Sequence, residues 1–288
     1  TQGFNIISAK GVQLGSEHEF FFLSKMFIDA TGDGTLGFLA GAEFRVGREA
    51  KSEFNVANAP EIADTYTQGS SILFRAEDRG KPIPYFPPPW AIKFTKETIA
   101  HRAGSLGKST RHEKYWHSDT SGWWWVEYGG MSDLIHDNEE IKHRLQAIAF
   151  GIWDYIKNHD PRYMKESANF ELTWIGQVPG KRESRRLMGD HILTESDLLE
   201  MKVWEDQIAV GGWSIDLHPP EGFYNPKGGA FHTYMELPYS IPFRSIYSKN
   251  IKNLLIASRC LSVSHVAHAS TRLIATLALV GQAAGTAA

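Results

Sequence analysis

Residues 26–37 read Met26-Phe27-Ile28-Asp29-Ala30-Thr31-Gly32-Asp33-Gly34-Thr35-Leu36-Gly37. Met26 to Ala30 is apolar almost throughout, which suits a buried strand. Thr31-Gly32-Asp33-Gly34 then forms a sharp turn, and Leu36, Phe38, Leu39 and Ala42 suggest a short helix. Gly32, Gly34 and Gly37 have the G-x-G-x-x-G spacing of a dinucleotide-binding loop between strand and helix. Two features argue against a first nucleotide-binding loop. The polar Asp29 sits inside the strand end, and no clean strand ending in an acidic residue follows at the usual interval. A glycine turn that permits tight packing is an equal reading.

Upstream, Ile6, Ile7 and Val12 precede a polar turn at Gly15-Ser16-Glu17, and Phe20-Phe21-Phe22-Leu23 follows, so residues 5–30 read as β structure. Downstream, from about 50 to 135, prolines and aromatics (Trp90, Tyr115, Trp116, Trp123-Trp124-Trp125) indicate strands and long ordered loops. Ile141, Leu145, Ile148, Ile152 and Ile156 repeat at helical spacing and predict a helix over 138–157, with Pro161 beyond its end. A strand is expected over 170–176. Thr194 and Asp197 form a capping pair ahead of Leu198 and Leu199. Residues 211–235 read as loop-rich. The chain closes with a strand at 253–257, a loop from Ser258 to Ser270 and a helix from about Thr271.

The chain has 288 residues and a net charge of −3, which gives no electrostatic reason to expect nucleic acid or an anionic membrane. The apolar run Leu273–Val280 is too short for a membrane span. Cys260 is the single cysteine, so no intramolecular disulfide forms. Both ends look cut, without an initiator Met or a final helix cap, so targeting is not legible.

Three ordered blocks resemble a known family. Ile28-Asp29-Ala30-Thr31-Gly32-Asp33-Gly34, with Ala40-Gly41-Ala42-Glu43 and Gly47-Arg48-Glu49, resembles the second flavin motif of FAD-dependent oxidoreductases. Gly180-Lys181-Arg182-Glu183-Ser184-Arg185-Arg186, with Gly189-Asp190 and Leu193-Thr194, is the second block. Tyr239-Ser240-Ile241-Pro242-Phe243-Arg244-Ser245 opens the third, which continues through Asn253–Ala257, Ser270-Thr271-Arg272 and Gly281-Gln282-Ala283-Ala284-Gly285. The relevant branch is a bacterial family distantly similar to the fumarate reductase flavoproteins. Its members open with a βαβ unit carrying the pyrophosphate fingerprint. No such unit precedes Ile28, so the chain is expected to be the later part of the fold and to hold FAD weakly or not at all on its own.

The resemblance implies FAD as cofactor and Thr31, Gly32, Asp33, Gly34, Arg259, Ser270, Thr271, Arg272 and Gly281 as residues that bind it. A helix opening at Ser270-Thr271-Arg272 would aim its positive end at the pyrimidine edge of the flavin, and Gly281 and Gly285 would let that helix pack closely on a sheet. Alternatively, Arg272 is a surface charge opening a core helix. The resemblance also places Arg185 or Arg186 at the substrate side of the flavin, where a guanidinium binds an oxyanion; a solvated charge run is the other reading. His265 and His268 can act as acid–base groups, be structural, or contribute to a metal site, although no further ligand is visible. Cys260 is either reactive or a small buried side chain. The tryptophans fill a core or line a substrate cavity.

The expected fold is α/β, or mixed α+β: a partial FAD-binding domain of the glutathione-reductase-like type from residues 1–50 and 236–288, with a substrate or cap domain over 51–235. The expected reaction is hydride transfer between a small-molecule substrate and flavin. A carbohydrate-binding module using the Trp-rich middle is the alternative.

Overall fold

The computed structural model describes residues 1–102, 106 and 125–288. Tyr115, Trp116, Trp123 and Trp124 of the aromatic middle lie outside the described residues. The chain divides into two compact units. One comprises Thr1–Thr67, Glu183–Leu217 and Phe231–Ala288; the other comprises Gln68–Arg182 and His218–Ala230. The expected inserted domain over 51–235 is therefore corrected at both edges. Residues 51–67 and most of 183–235 pack with the chain ends, because Leu187, Leu193, Leu198 and Ile215 bury their side chains in the same core as Leu254, Ile256 and Val263.

In the first unit, Phe27–Asp29 pairs in parallel with Leu254–Ile256, with Phe27 opposite Leu254 and Asp29 opposite Ile256. Segments from near the two ends of the chain thus share one sheet. Parallel strands are buried on both faces and read as apolar runs, and Leu254, Leu255 and Ile256 are all buried. By contrast, Glu19–Phe22, paired antiparallel with Ala9–Val12, is exposed along its length despite three phenylalanines.

The expected helix from Thr271 is also corrected. One helix spans His265–Thr271, with Ser264 as N-cap accepting from the Ala267 N–H. The chain then breaks at Arg272 and Leu273, and a second helix runs over Ile274–Ala287. Ser270-Thr271-Arg272 therefore ends a helix instead of opening one. Thr276, Val280 and Ala284, one helical turn apart, form the buried stripe of the second helix, which packs on the Gln207–Gly211 strand. A side chain at Gly281 or Gly285 would meet nothing within 4 Å, so neither glycine serves close packing. Within the loop-rich stretch, Ile215–Leu217 pairs antiparallel with Phe231–Thr233.

The second unit is built on the Asn138–Asp154 helix, whose Ile141, Leu145, Ile148 and Ile152 are buried. A π-helical turn, Tyr155–His159, extends it. Phe74–Asp78 pairs with Phe170–Ile175, and Ser70–Ser71 lies between Glu127–Tyr128 and Gly180–Lys181. Trp153 is fully buried and Trp125 nearly so; Trp125 stacks on Phe223. Both are core residues.

Candidate functional site

Ligands of α/β sheets bind beyond the carboxyl ends of parallel strands. Both strands of the parallel pair end at the same place. Asp29 leads into the loop 30–34 and Ile256 into the loop 257–264, and the Ala257 N–H donates to the Asp29 carbonyl at 2.9 Å. Asp29 is fully buried. One carboxylate oxygen accepts from the Thr31 N–H at 2.9 Å and the Thr31 hydroxyl at 2.7 Å; the other accepts from the Gly37 N–H at 2.8 Å. A polar residue at the strand end is thus the clamp that shapes the turn and starts the Thr35–Ala40 helix.

The three glycines have separate tasks. Gly34 and Gly37 lie against Leu187, where a methyl group on Gly37 would come within 2.5 Å of the leucine. Gly32, at φ +81°, lies against the Arg259 guanidinium at the same distance. Close packing, not a first nucleotide loop, accounts for Gly34 and Gly37.

Asp33 gathers cationic and polar groups around the turn. The Arg259 Nη2 donates to its Oδ1 at 2.7 Å and the Ser184 hydroxyl to the same oxygen at 2.8 Å. Arg185 donates to the Asp33 carbonyl at 3.3 Å and lies 4.0 Å over the Phe38 ring. The Arg259 Nε is buried and meets no acceptor among the described residues.

A buried ionic cluster supports the loop from behind. Arg186, fully buried, donates to Glu49 at 2.7 Å and to the Val263 carbonyl at 3.0 Å, and lies 3.5 Å from Glu183. Glu49 also accepts from the His265 N–H at 2.9 Å. His265 Nδ1 donates to Glu183 at 2.9–3.0 Å. Burial pushes the Glu183 carboxyl up, but His265, His268 and Arg186 outweigh it and hold the group well below the usual carboxylate range. His268 Nε2 lies 3.0 Å from the Arg259 carbonyl. Burial pushes this imidazole down to about 3, so at neutral pH it is uncharged and its Nε2–H donates.

Ser270, Thr271 and Arg272 lie elsewhere in the first unit. The Ser270 hydroxyl donates to the Trp213 carbonyl at 2.6 Å and accepts from the Tyr239 hydroxyl at 2.8 Å. Arg272 pairs with Asp216 at 3.1 Å. Arg272 is therefore neither a helix-opening charge nor a solvated one. Arg186 is likewise no surface charge. Cys260 is buried, and burial pushes its thiol up to about 12, which removes the thiolate that reactivity needs. Among the described residues, no group of three or more His, Cys, Asp or Glu is placed to hold a metal ion, and no helix is long and apolar enough to cross a membrane.

Sequence reasoning noted Asp29 without giving it a role and passed over Glu49, Glu183 and Ser184, although all four lie inside the quoted motifs. The signal for Asp29 was a carboxylate in an apolar strand; the others pair only through the fold.

A guanidinium with a buried unsatisfied N–H, a hydroxyl pair and a glycine turn at the ends of two parallel strands suit a ligand rich in hydroxyl and phosphate oxygens. That is the chemistry of a dinucleotide cofactor. The chain belongs to the FAD dependent oxidoreductase family, whose model matches residues 4–288. FAD is accordingly its cofactor and its role is flavin redox chemistry. Neither a curated protein nor a solved structure matches the chain.

Proposed function

We propose that the first unit holds FAD at the paired loops Thr31–Gly34 and 257–264, in a fold of the glutathione-reductase-like type, and that the second unit is the substrate or cap domain. The observation that carries this is the joining of the two loops through Arg259 and Asp33 at the carboxyl ends of the parallel pair. When bound, FAD supplies the redox chemistry, exchanging a hydride with a carbon of a small organic substrate.

The chain's own residues do the rest. Thr31 and Asp33 orient hydroxyl groups, and Arg259 and Arg185 bind anionic groups. Glu183 fixes the His265 ring through Nδ1, which makes His265 the acid–base group for the proton that accompanies substrate oxidation or reduction. His268 and Arg186, both without exposed surface, position these groups and do not touch substrate. Ser270, Thr271 and Arg272 shape the break before the Ile274–Ala287 helix. The N-terminus of that helix has no side-chain cap; Gly281, inside the helix, has no assigned contact.

Nothing supports the carbohydrate-binding alternative: Trp125 and Trp153 lie in the core of the second unit, and the exposed Trp90 and Trp174 have no assigned ligand. The test is spectroscopic. The chain saturated with FAD is expected to show a bound-flavin absorbance band that bleaches on anaerobic photoreduction and returns with oxygen. Flavin that elutes free from the chain at every concentration tried would count against the assignment.

A further inference from the structure

Arg259 is anchored from three sides. Its Nη2 donates to Asp33, its Nη1 edge rests on Gly32, and its own carbonyl lies 3.0 Å from His268 Nε2. A carbonyl oxygen only accepts, so His268 must be the donor. His268 comes from the interior of the His265–Thr271 helix, with no exposed surface. The loop that carries Arg259 is therefore fixed to the core by a neutral imidazole. One donor of this anchored guanidinium remains unused: Nε is buried and has no acceptor among the described residues. Leaving a buried donor unpaired is costly, more so for a charged group. Gly32 packs against the other side of the guanidinium, where a Cβ would come within 2.5 Å of Nη1, so the turn itself holds the orientation of the group.

We infer that Arg259 is the arm that binds the diphosphate of FAD, and that His268 is the positioning residue that sets this arm from inside the core. The inference rests on the proposed cofactor site and adds which part of the cofactor Arg259 reads. Phosphate oxygens are the natural partner of a guanidinium held in a fixed orientation, since both the charge and the direction of the N–H match. His268 makes the orientation fixed: without its hydrogen bond the Arg259 main chain loses its tie to the helix, while the Asp33 pair remains.

Titration of the full 288-residue chain with FAD, FMN and riboflavin, followed by flavin fluorescence, separates the possibilities; inorganic pyrophosphate, followed by thermal shift, is a probe without a flavin. Arg259→Gln is expected to weaken FAD roughly tenfold to a hundredfold, the range for a charged hydrogen bond. It should leave riboflavin within about threefold and abolish the stabilisation by pyrophosphate. His268→Leu should weaken FAD in the same direction. His268→Gln, which retains an amide donor, should restore most of the affinity; a purely space-filling histidine would give the opposite order, because leucine fills the core better than glutamine. Far-UV circular dichroism checks that each variant folds, and His268→Gln keeps the test available if His268→Leu does not. Equal losses for FAD and riboflavin in Arg259→Gln would overturn the diphosphate assignment, as would no loss at all. If the wild-type chain binds pyrophosphate through Arg259 but no flavin, the cofactor reading fails while the anion arm stands. If it binds FAD without Arg259 dependence, the reverse holds.

Discussion

Arg186 and Glu49 form a 2.7 Å ion pair in which neither side chain has more than marginal exposure. Their partners are also internal: Glu183, the Val263 carbonyl and the His265 N–H. The pair ties the segment ending in Glu49 to the second family block and to the start of the His265–Thr271 helix. It is thus part of the frame around the loops 30–34 and 257–264.

Removing one partner strands a charge in the core. Arg186→Met is expected to destabilise the chain by ~3–5 kcal/mol, the usual loss when a buried pair is broken on one side. Glu49→Gln should cost less, because the amide oxygen still accepts from one of the two donors, Arg186 or the His265 N–H, which bind separate oxygens of Glu49. Urea unfolding of both variants checks the order; equal losses would mean that hydrogen bonding, not charge, dominates.

Acid should loosen the first unit through His268. The unfolded imidazole takes up its proton near 6.5, whereas in the fold burial holds the group to about 3. Between these values only the unfolded chain is protonated. Stability is therefore complete above pH 6.5 and falls as pH drops toward 3, by up to ~1.4 kcal/mol per pH unit. Glu183, whose folded value is depressed from 4.5, adds a loss in the same direction below that pH. The urea midpoint of His268→Gln should accordingly fall less between pH 6.5 and 4.5 than that of the wild type. Parallel profiles in that window would mean that His268 does not resist protonation.

Gly32 and Gly41 offer a matched comparison, with φ of +81° and +83°. Alanine at either site costs ~1–2 kcal/mol for the left-handed backbone. Only at Gly32 would the new methyl group meet Arg259; at Gly41 nothing lies within 4 Å. Gly32→Ala should weaken FAD binding, and Gly41→Ala should lower stability alone. Fluorescence titration beside thermal unfolding distinguishes them.

Arg272→Glu would place a carboxylate against Asp216, with which Arg272 now pairs at 3.1 Å. It would also put a negative charge at the C-terminal end of the His265–Thr271 helix, where positive charge is favoured. A loss on the order of 3 kcal/mol is expected, with Arg272→Met milder because it adds no repulsion. A neutral or stabilising effect of Glu would fit a helix that opens at this point, contrary to the geometry.

The local pattern was legible wherever neighbours in sequence are neighbours in space. Ile141, Leu145, Ile148 and Ile152 mark their helix by spacing alone. Thr194 and Asp197 form the reciprocal capping box that their spacing implied. The buried strand before Thr31 followed from its apolar run, broken only by Asp29, and the family from three motif blocks. The roles within the motifs were not legible. Nothing in Gly32 points to Arg259, which is 227 positions away and is reached only because two distant strands pair in parallel. Arg185 and Arg186 look alike in the chain, yet one lies over Phe38 beside the 30–34 turn and the other is fully buried between two carboxylates. The start of the last helices was misplaced for the same reason. Ser264 caps the first of them locally, but the break at Arg272 is held by Asp216 from another strand. Periodicity, caps and turns come from interactions a few residues apart. Charge pairing and the division into units depend on burial, and burial exists only once the chain has closed on itself.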